Sequence, residues 1–444
     1  MIAAAANARV SPSLLREPLV GNYFVAVYPP FSCWQGAGLP AVTEAINQQT
    51  AGSPLGIYIH IPFCQKKCNY CYYLSYVGAE SSVVEEYLDT LISELKLYST
   101  CSGVRNRPVS FVYFGGGTPS LLQPEQVRRL FAGLKGVLPW SGAREVTFEC
   151  APRSVTRELL SCLRDEGVTR LSMGVQSFDN AVLRLNGRVH SAEDAVGAFR
   201  LMQGMGFEWV NLDLMAGLMG EVPESWESSV RQMIELGPDS VTLYQTEIPY
   251  NTALYQQCKT RTIPAAVVSW GEKRQRLSRA FDQLACAGYT VVSAYSAVKD
   301  PEQRQFQYQN HLWRGGDMLG LGVASFSYVG GVHFQNSVNL ESYATQVRQG
   351  QLPLKRAFPL DARDQFVREF ILQLKWGEVY FEEFRRKFDR DIRTFFAPQL
   401  DAMALEGFLV LSSSSVRLTR SGLLCVDRLL PAFYDPQYQA QRYT

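Results

Sequence analysis

Between residues 56 and 245 the chain alternates short apolar runs with amphipathic stretches six times over, and few folds accommodate that rhythm. The apolar runs cover residues 56–61, 110–114, 145–149, 170–174, 209–214 and 240–244. Each is short and rich in Val, Ile, Leu or aromatic residues, as expected of strands buried on both faces. Between them, Val84, Leu88, Leu91 and Leu95 fall on one helical face, Val127, Leu130 and Leu134 repeat the spacing, and 225–236 closes the series. Six β–α units with buried parallel strands predict an α/β fold, a partial (β/α)6 barrel. In barrels of this kind the chemistry collects at the C-terminal ends of the strands.

The first run is followed at once by Cys64, Cys68 and Cys71, a C-x3-C-x2-C spacing. Three thiolates hold three irons of a 4Fe–4S cluster and leave the fourth iron open to chelate a ligand. A structural zinc would want four ligands, and no second Cys or His knuckle follows within range. A disulfide would need an oxidising compartment, for which nothing else speaks. The spacing resembles the signature of radical S-adenosylmethionine (SAM) enzymes. That resemblance implies that SAM binds the open iron and that one electron cleaves it to a 5′-deoxyadenosyl radical.

The 444 residues carry 43 basic and 42 acidic side chains, a net charge of +1, which gives no reason to expect a nucleic-acid partner. No apolar run approaches the ~20 residues of a membrane span, and residues 1–9 lack the basic and apolar regions of a signal peptide. The other cysteines (Cys33, Cys101, Cys150, Cys162, Cys258, Cys286 and Cys425) are scattered in largely apolar contexts and read as buried thiols. A reducing, cytoplasmic location is therefore expected.

Four segments are expected: an N-terminal arm over 1–53, the barrel over 54–300, an extension or connector over 301–360, and a C-terminal accessory domain over 361–444. The arm's 23–34 stretch is too aromatic for a disordered tail, and its double proline suggests an extended strap packed on the body. A long helix over about 265–287 and a strand over 289–293 follow the barrel units. Val329-Gly330-Gly331-Val332 after 317–328 is a hairpin signal. The last segment reads as helices followed by two strands flanking a four-serine turn, a mostly helical, winged-helix-like pattern. It lacks a basic face for DNA, so it is expected to be a lid or scaffold.

Polar motifs follow the strands directly. Tyr70, beside Cys71, is placed to pack on an adenine. Gly115, Gly116, Gly117 and Thr118 end the second strand, where glycines permit close backbone approach and free N–H groups to a ligand. Glu149 ends the third strand and suits ribose hydroxyls. Gln176 follows the fourth, Arg188 in Asn-Gly-Arg-Val-His offers a fork for a carboxylate, and Asp213 lies on the fifth.

These motifs, with Tyr58-Ile59-His60-Ile61-Pro62-Phe63-Cys64, are similar in order and spacing to those of the oxygen-independent coproporphyrinogen III oxidase family. Its relatives include a haem chaperone, a haem-degrading enzyme and class C radical methyltransferases and cyclopropanases. The resemblance implies that Cys64, Cys68 and Cys71 hold the cluster. It implies that Gly116, Thr118, Glu149, Gln176, Arg188 and Asp213 surround one SAM, and that Tyr58 touches a second.

Two departures matter. Tyr73 stands where the oxidases carry a fourth cysteine, and Phe326 stands where the chaperones carry a histidine, the obvious haem-iron ligand. His311 and His333 are left as candidates for a role particular to this chain. The departures favour the methyltransferase-like branch, in which two SAM molecules methylate or cyclopropanate an sp2 carbon of an apolar or planar substrate. Tyr244, Tyr250, Tyr295, Trp313, Phe24 and Phe31 are candidates to line its mouth. Glu247 or His311 would remove the final proton. The alternatives are oxidative decarboxylation of a porphyrinogen and a haem- or tetrapyrrole-binding carrier. A flavodoxin or ferredoxin donor and a monomeric state complete the expectation.

Overall fold

The computed structural model describes residues 18–21, 23–48, 52–263 and 265–439. Residues 1–17, including the 1–9 stretch tested above for a signal, lie outside it.

The strands β1 (Leu55–Ile61), β2 (Val109–Gly116), β3 (Glu145–Cys150), β4 (Arg170–Gln176), β5 (Trp209–Ala216) and β6 (Ser240–Gln245) match the six apolar runs to within a residue or two. They pair in that order, all parallel. The intervening helices form where the spacing and caps direct them. The Thr156 hydroxyl accepts the Leu159 N–H ahead of Arg157–Asp165, and Ser191 with Asp194 boxes the start of Ala192–Gly204. Ile57, Ile59 and Ile61 face outward into the main core with Leu88, Leu91 and Leu95. Tyr58 and His60, alternating with them, face the barrel interior.

The sheet does not stop at six strands. β7 (Thr290–Val291), β8 (Ser296–Val298), β9 (Asp317–Leu321), β10 (Phe326–Val329), β11 (Val332–Asn336) and β12 (Leu354–Pro359) extend it to twelve, ordered β12-β11-β10-β9-β1-β2-β3-β4-β5-β6-β8-β7. β9 pairs parallel with β1, so a seventh parallel strand covers that edge. The 317–328 segment divides into β9 and β10, and the two glycines turn β10 into β11 with Val329 opposite Val332. The strands within 301–360 therefore extend the barrel sheet, with helix Gln307–Trp313 ahead of them and helix Leu340–Arg348 between β11 and β12.

The C-terminal region packs helices Ala362–Leu374, Phe381–Phe388 and Ala397–Leu405 against a three-stranded antiparallel sheet of Glu378–Tyr380, Ser415–Leu418 and Leu409–Leu411. Its aromatic core, with Phe366, Phe370 and Phe396, also takes in Val25 and Tyr28 of the arm. The arm is thus a strap between the two parts: Tyr28 donates to Asp364 Oδ1 (3.0 Å), and buried Lys375 donates to the Val25 carbonyl (2.5 Å). Among the described residues no helix is long and apolar enough to cross a membrane.

Candidate active site

The cysteine loop leaves β1 at the mouth of the barrel and is closed by a short parallel pairing of Phe63–Cys64 with Tyr76–Val77. All three thiols are free and line one cavity of about 370 Å³. The Thr118 hydroxyl donates to Cys64 Sγ (3.7 Å), and Arg188 Nη1 donates to Cys68 Sγ (3.3 Å). Burial pushes the Cys64 thiol up and the Cys71 thiol up to about 11, so both hold their protons until a cation joins them. No set of three or more His, Cys, Asp or Glu among the described residues fits a single metal ion. Three thiols ranged round a shared cavity fit a cluster instead.

The glycine run serves first to bring strand ends together. A Cβ on Gly116, whose φ is +110°, would lie 2.4 Å from the His60 ring, and one on Gly117 would lie 2.7 Å from the Phe63 carbonyl oxygen. Their N–H groups are also not free, unlike the nest expected from the sequence. Gly116 donates to Glu149 Oε2 (3.1 Å), Gly117 to the Ile61 carbonyl (2.8 Å) and Thr118 to the Phe63 carbonyl (2.8 Å). What these residues offer a ligand is a shaped wall beside Cys64.

Glu149 on β3 and Asp213 on β5 reach the same cavity from above the barrel interior. Glu149 accepts the Tyr113 hydroxyl (2.6 Å), and burial raises its pKa. Asp213 accepts the Asn211 amide (2.7 Å); burial, then the Glu149 charge, push it up to about 7. Gln176 sits where the β4–β5 ladder shifts register, at φ +71°, a conformation a non-glycine residue adopts only under constraint. Among the described residues its buried Oε1 has no partner, and neither has Arg188 Nε, although Arg188 Nη2 is tied to the Gly174 carbonyl (2.5 Å). Orphaned polar atoms beside three thiols fit a polar ligand such as SAM against the cluster.

Tyr70 lines the cavity next to the thiols. Tyr58 does not: it stacks on Tyr113 (5.8 Å) and lies 3.4 Å from His60 Nδ1. Glu247 lines the upper wall, accepts the Tyr23 N–H (3.0 Å), and is pushed up to about 8 by burial and then by Asp427. Phe24, Tyr244 and Tyr295 line it as expected, whereas Tyr250, Trp313 and Phe31 do not.

His311 must be corrected. It lies at the opposite end of the barrel, between the starts of β2 and β9, with Nε2 2.8 Å from the Asp317 carbonyl and Nδ1 3.3 Å from Ser110 Oγ. It does not line the cavity of the cluster loop, so it is not in position to remove a proton there. His333 is likewise structural: it is stacked on Trp34 (4.9 Å) with Nε2 3.2 Å from the Tyr28 carbonyl. Phe326 is plugged by Phe31, stacked at 4.2 Å.

Sequence reasoning missed the roof. Arg274 comes from the helix Trp270–Cys286 and Arg428 from the C-terminal region, and both line the cavity with Lys66 and Lys67. Arg428 lies 3.7 Å over the Tyr23 ring of the arm. Neither arginine belongs to a motif, so only long-range packing reveals them.

A parallel barrel whose first strand delivers three thiols to a cavity lined by strand-end carboxylates defines the radical SAM class. The profile described as Radical SAM superfamily matches residues 58–233, and that of the HemN C-terminal domain matches residues 360–425. The chain is 30% identical over 419 residues to the oxygen-independent coproporphyrinogen III oxidase of Pseudomonas aeruginosa, covering 90% of each. It is 30% identical over 387 residues to the heme chaperone HemW of Escherichia coli, covering 86% of this chain and 98% of that one. The solved coproporphyrinogen III oxidase (HemN) from Escherichia coli superposes with a TM-score of 0.82 at 27% identity, over 93% of this chain and 97% of that one. The chain belongs to the family of oxygen-independent coproporphyrinogen III oxidase and HemW, within the radical SAM superfamily. Membership implies a 4Fe–4S cluster and SAM. The methylation and cyclopropanation expected above find no support in these relatives, which are named an oxidase and a chaperone.

Proposed function

We propose that the protein is an anaerobic enzyme of the coproporphyrinogen oxidase type, which converts a carboxyethyl side chain of a reduced tetrapyrrole to a vinyl group. The observation that carries this reading is the charge at the mouth of the cavity. Lys66, Lys67, Arg274 and Arg428 line it over an aromatic wall that includes Tyr72, Tyr244 and Tyr295. Aromatic faces suit the separate pyrrole rings of the reduced macrocycle, and the four cations suit its carboxylate arms. Arg188, the cation assigned a ligand role from the sequence, turns two of its nitrogens to Cys68 and Gly174 instead.

A cluster and SAM bound at this site would supply the radical chemistry that removes one hydrogen atom from the side chain. Cys64, Cys68 and Cys71 would hold the cluster, with Arg188 compensating charge at Cys68. Tyr70 would pack on the adenine, Glu149 and Asp213 would hold the ribose hydroxyls, and Gln176 would supply a further polar contact. Tyr58 remains the candidate contact for a second SAM. The arm and C-terminal roof exclude water from the reacting carbon. The substrate then loses carbon dioxide, and one electron leaves to a one-electron acceptor. Glu247, pushed up to about 8 by burial and Asp427, would hold a proton near the macrocycle. A flavodoxin- or ferredoxin-type donor and a monomeric state belong to the same reading.

Anaerobic turnover of the reconstituted protein with coproporphyrinogen III tests it. Carbon dioxide and 5′-deoxyadenosine in equal amounts, without S-adenosylhomocysteine, are expected. S-adenosylhomocysteine with an alkylated product would sink the reading. So would stoichiometric haem retention without SAM cleavage.

A further inference from the structure

The lower end of the barrel holds a second cavity, of about 240 Å³, that shares no lining residue with the upper one. Asn211 stands between them. Its amide donates upward to Asp213 Oδ1 (2.7 Å) and across to Ser172 Oγ (3.0 Å). Its carbonyl oxygen accepts from Ser240 (2.7 Å) and Thr242 (3.1 Å), which face the lower cavity.

Among the described residues three guanidinium groups line this cavity, those of Arg170, Arg304 and Arg314, and no carboxylate does. Arg304 is engaged by Asp239 (3.0 Å), and Arg314 lies over Trp376 (5.4 Å). Arg170 differs from both. It is 3% exposed, and its Nε and Nη1 have no hydrogen-bond partner among the described residues. Its guanidinium lies over the rings of Phe306, at 4.2 Å, and Trp209, at 4.9 Å, which offset part of its charge but offer it no oxygen acceptor. Glu145 is near enough to feel its charge but spends its oxygens on the Thr147 hydroxyl (2.9 Å) and the Gln307 N–H (3.0 Å). A buried guanidinium with unpaired N–H groups is costly unless an acceptor completes it.

We propose that this cavity binds a small planar carboxylate, whose oxygens pair with Arg170 and whose apolar body lies along the aromatic wall that Trp209 and Phe306 form beside it. A carboxylate matches the planar guanidinium and carries an apolar body for the rings. Phosphate offers no such body and would be stripped of water against two aromatic walls. The site goes beyond the reaction assigned to the upper cavity, and its failure leaves that assignment standing.

The test is calorimetric titration of the full-length reconstituted protein with sodium benzoate and, separately, inorganic phosphate at fixed ionic strength. Wild type is expected to bind one benzoate saturably. Arg170→Gln should weaken that binding about tenfold or more, the loss of a charged hydrogen-bonding partner. Gln309→Trp narrows the cavity without touching the guanidinium, so it should also weaken benzoate binding while leaving SAM binding unchanged. That second variant decides the matter if Arg170→Gln does not fold. No saturable benzoate binding by wild type overturns the proposal, as does full binding by Gln309→Trp. Tighter binding of phosphate than of benzoate overturns the carboxylate assignment.

Discussion

Gly116 illustrates how a residue visible in the sequence acquires its reason only in the fold. A glycine run after a strand reads as a place of close approach, but the closest approach is to His60 and the Phe63 backbone. Gly116→Ala therefore meets both a left-handed φ and the His60 ring. It should destabilise the protein by about 2 kcal/mol, seen as a lower denaturant midpoint, and weaken SAM binding by shifting Glu149. His311 is the opposite case, a residue type that suggests catalysis and a position that denies it. Burial lowers its pKa, and its ring is held by the Asp317 carbonyl and Ser110. His311→Gln should leave turnover near wild type in a single-turnover assay, not down by the roughly 10²–10⁴-fold that follows removal of a general base.

At the scale of elements, the helix Ser81–Ser99 was legible as an amphipathic helix from its apolar spacing. Its buried side also carries Glu94, whose partners lie more than 200 residues away. The Gly322 N–H (2.8 Å), the Tyr343 hydroxyl (2.6 Å) and the Asn336 amide (2.6 Å) all donate to it. Burial pushes Glu94 up from 4.5 to about 7. A carboxyl raised on folding means that the folded state binds more protons, so stability falls as pH rises between those two values. The loss is on the order of 3 kcal/mol across that window. Thermal melts from pH 4.5 to 7.5 should show this slope in wild type and a shallower one in Glu94→Gln. Equal slopes would assign the pH dependence to other groups.

For the molecule as a whole, Asp427 joins the arm, the barrel roof and the C-terminal domain. It accepts the Val25 N–H (2.9 Å) and the Tyr295 hydroxyl (2.5 Å), and pairs with Lys375 (2.9 Å), which is 1% exposed. Removing one partner of a buried pair leaves an uncompensated charge, so Asp427→Ala should cost about 3–5 kcal/mol. The double variant Lys375→Met/Asp427→Leu should recover most of that loss. Thermal melts and limited proteolysis of the arm check it, and additive single and double effects would refute the coupling.

The barrel units, their order and the cysteine loop followed from the sequence alone, because periodicity and ligand spacing are written within a few residues of each other. The strand-end positions of Glu149, Gln176 and Asp213 followed for the same reason, since register places what comes after each strand. The sequence marked 301–360 as an extension or connector but could not show that β9 pairs with β1, because that pairing joins segments about 260 residues apart. Nor could it show Arg274 and Arg428 at the mouth, His311 displaced to the far end, or the cavity around Arg170. Those depend on which distant surfaces meet once the strap and the C-terminal domain close over the barrel, and that free energy comes from packing that no local pattern encodes.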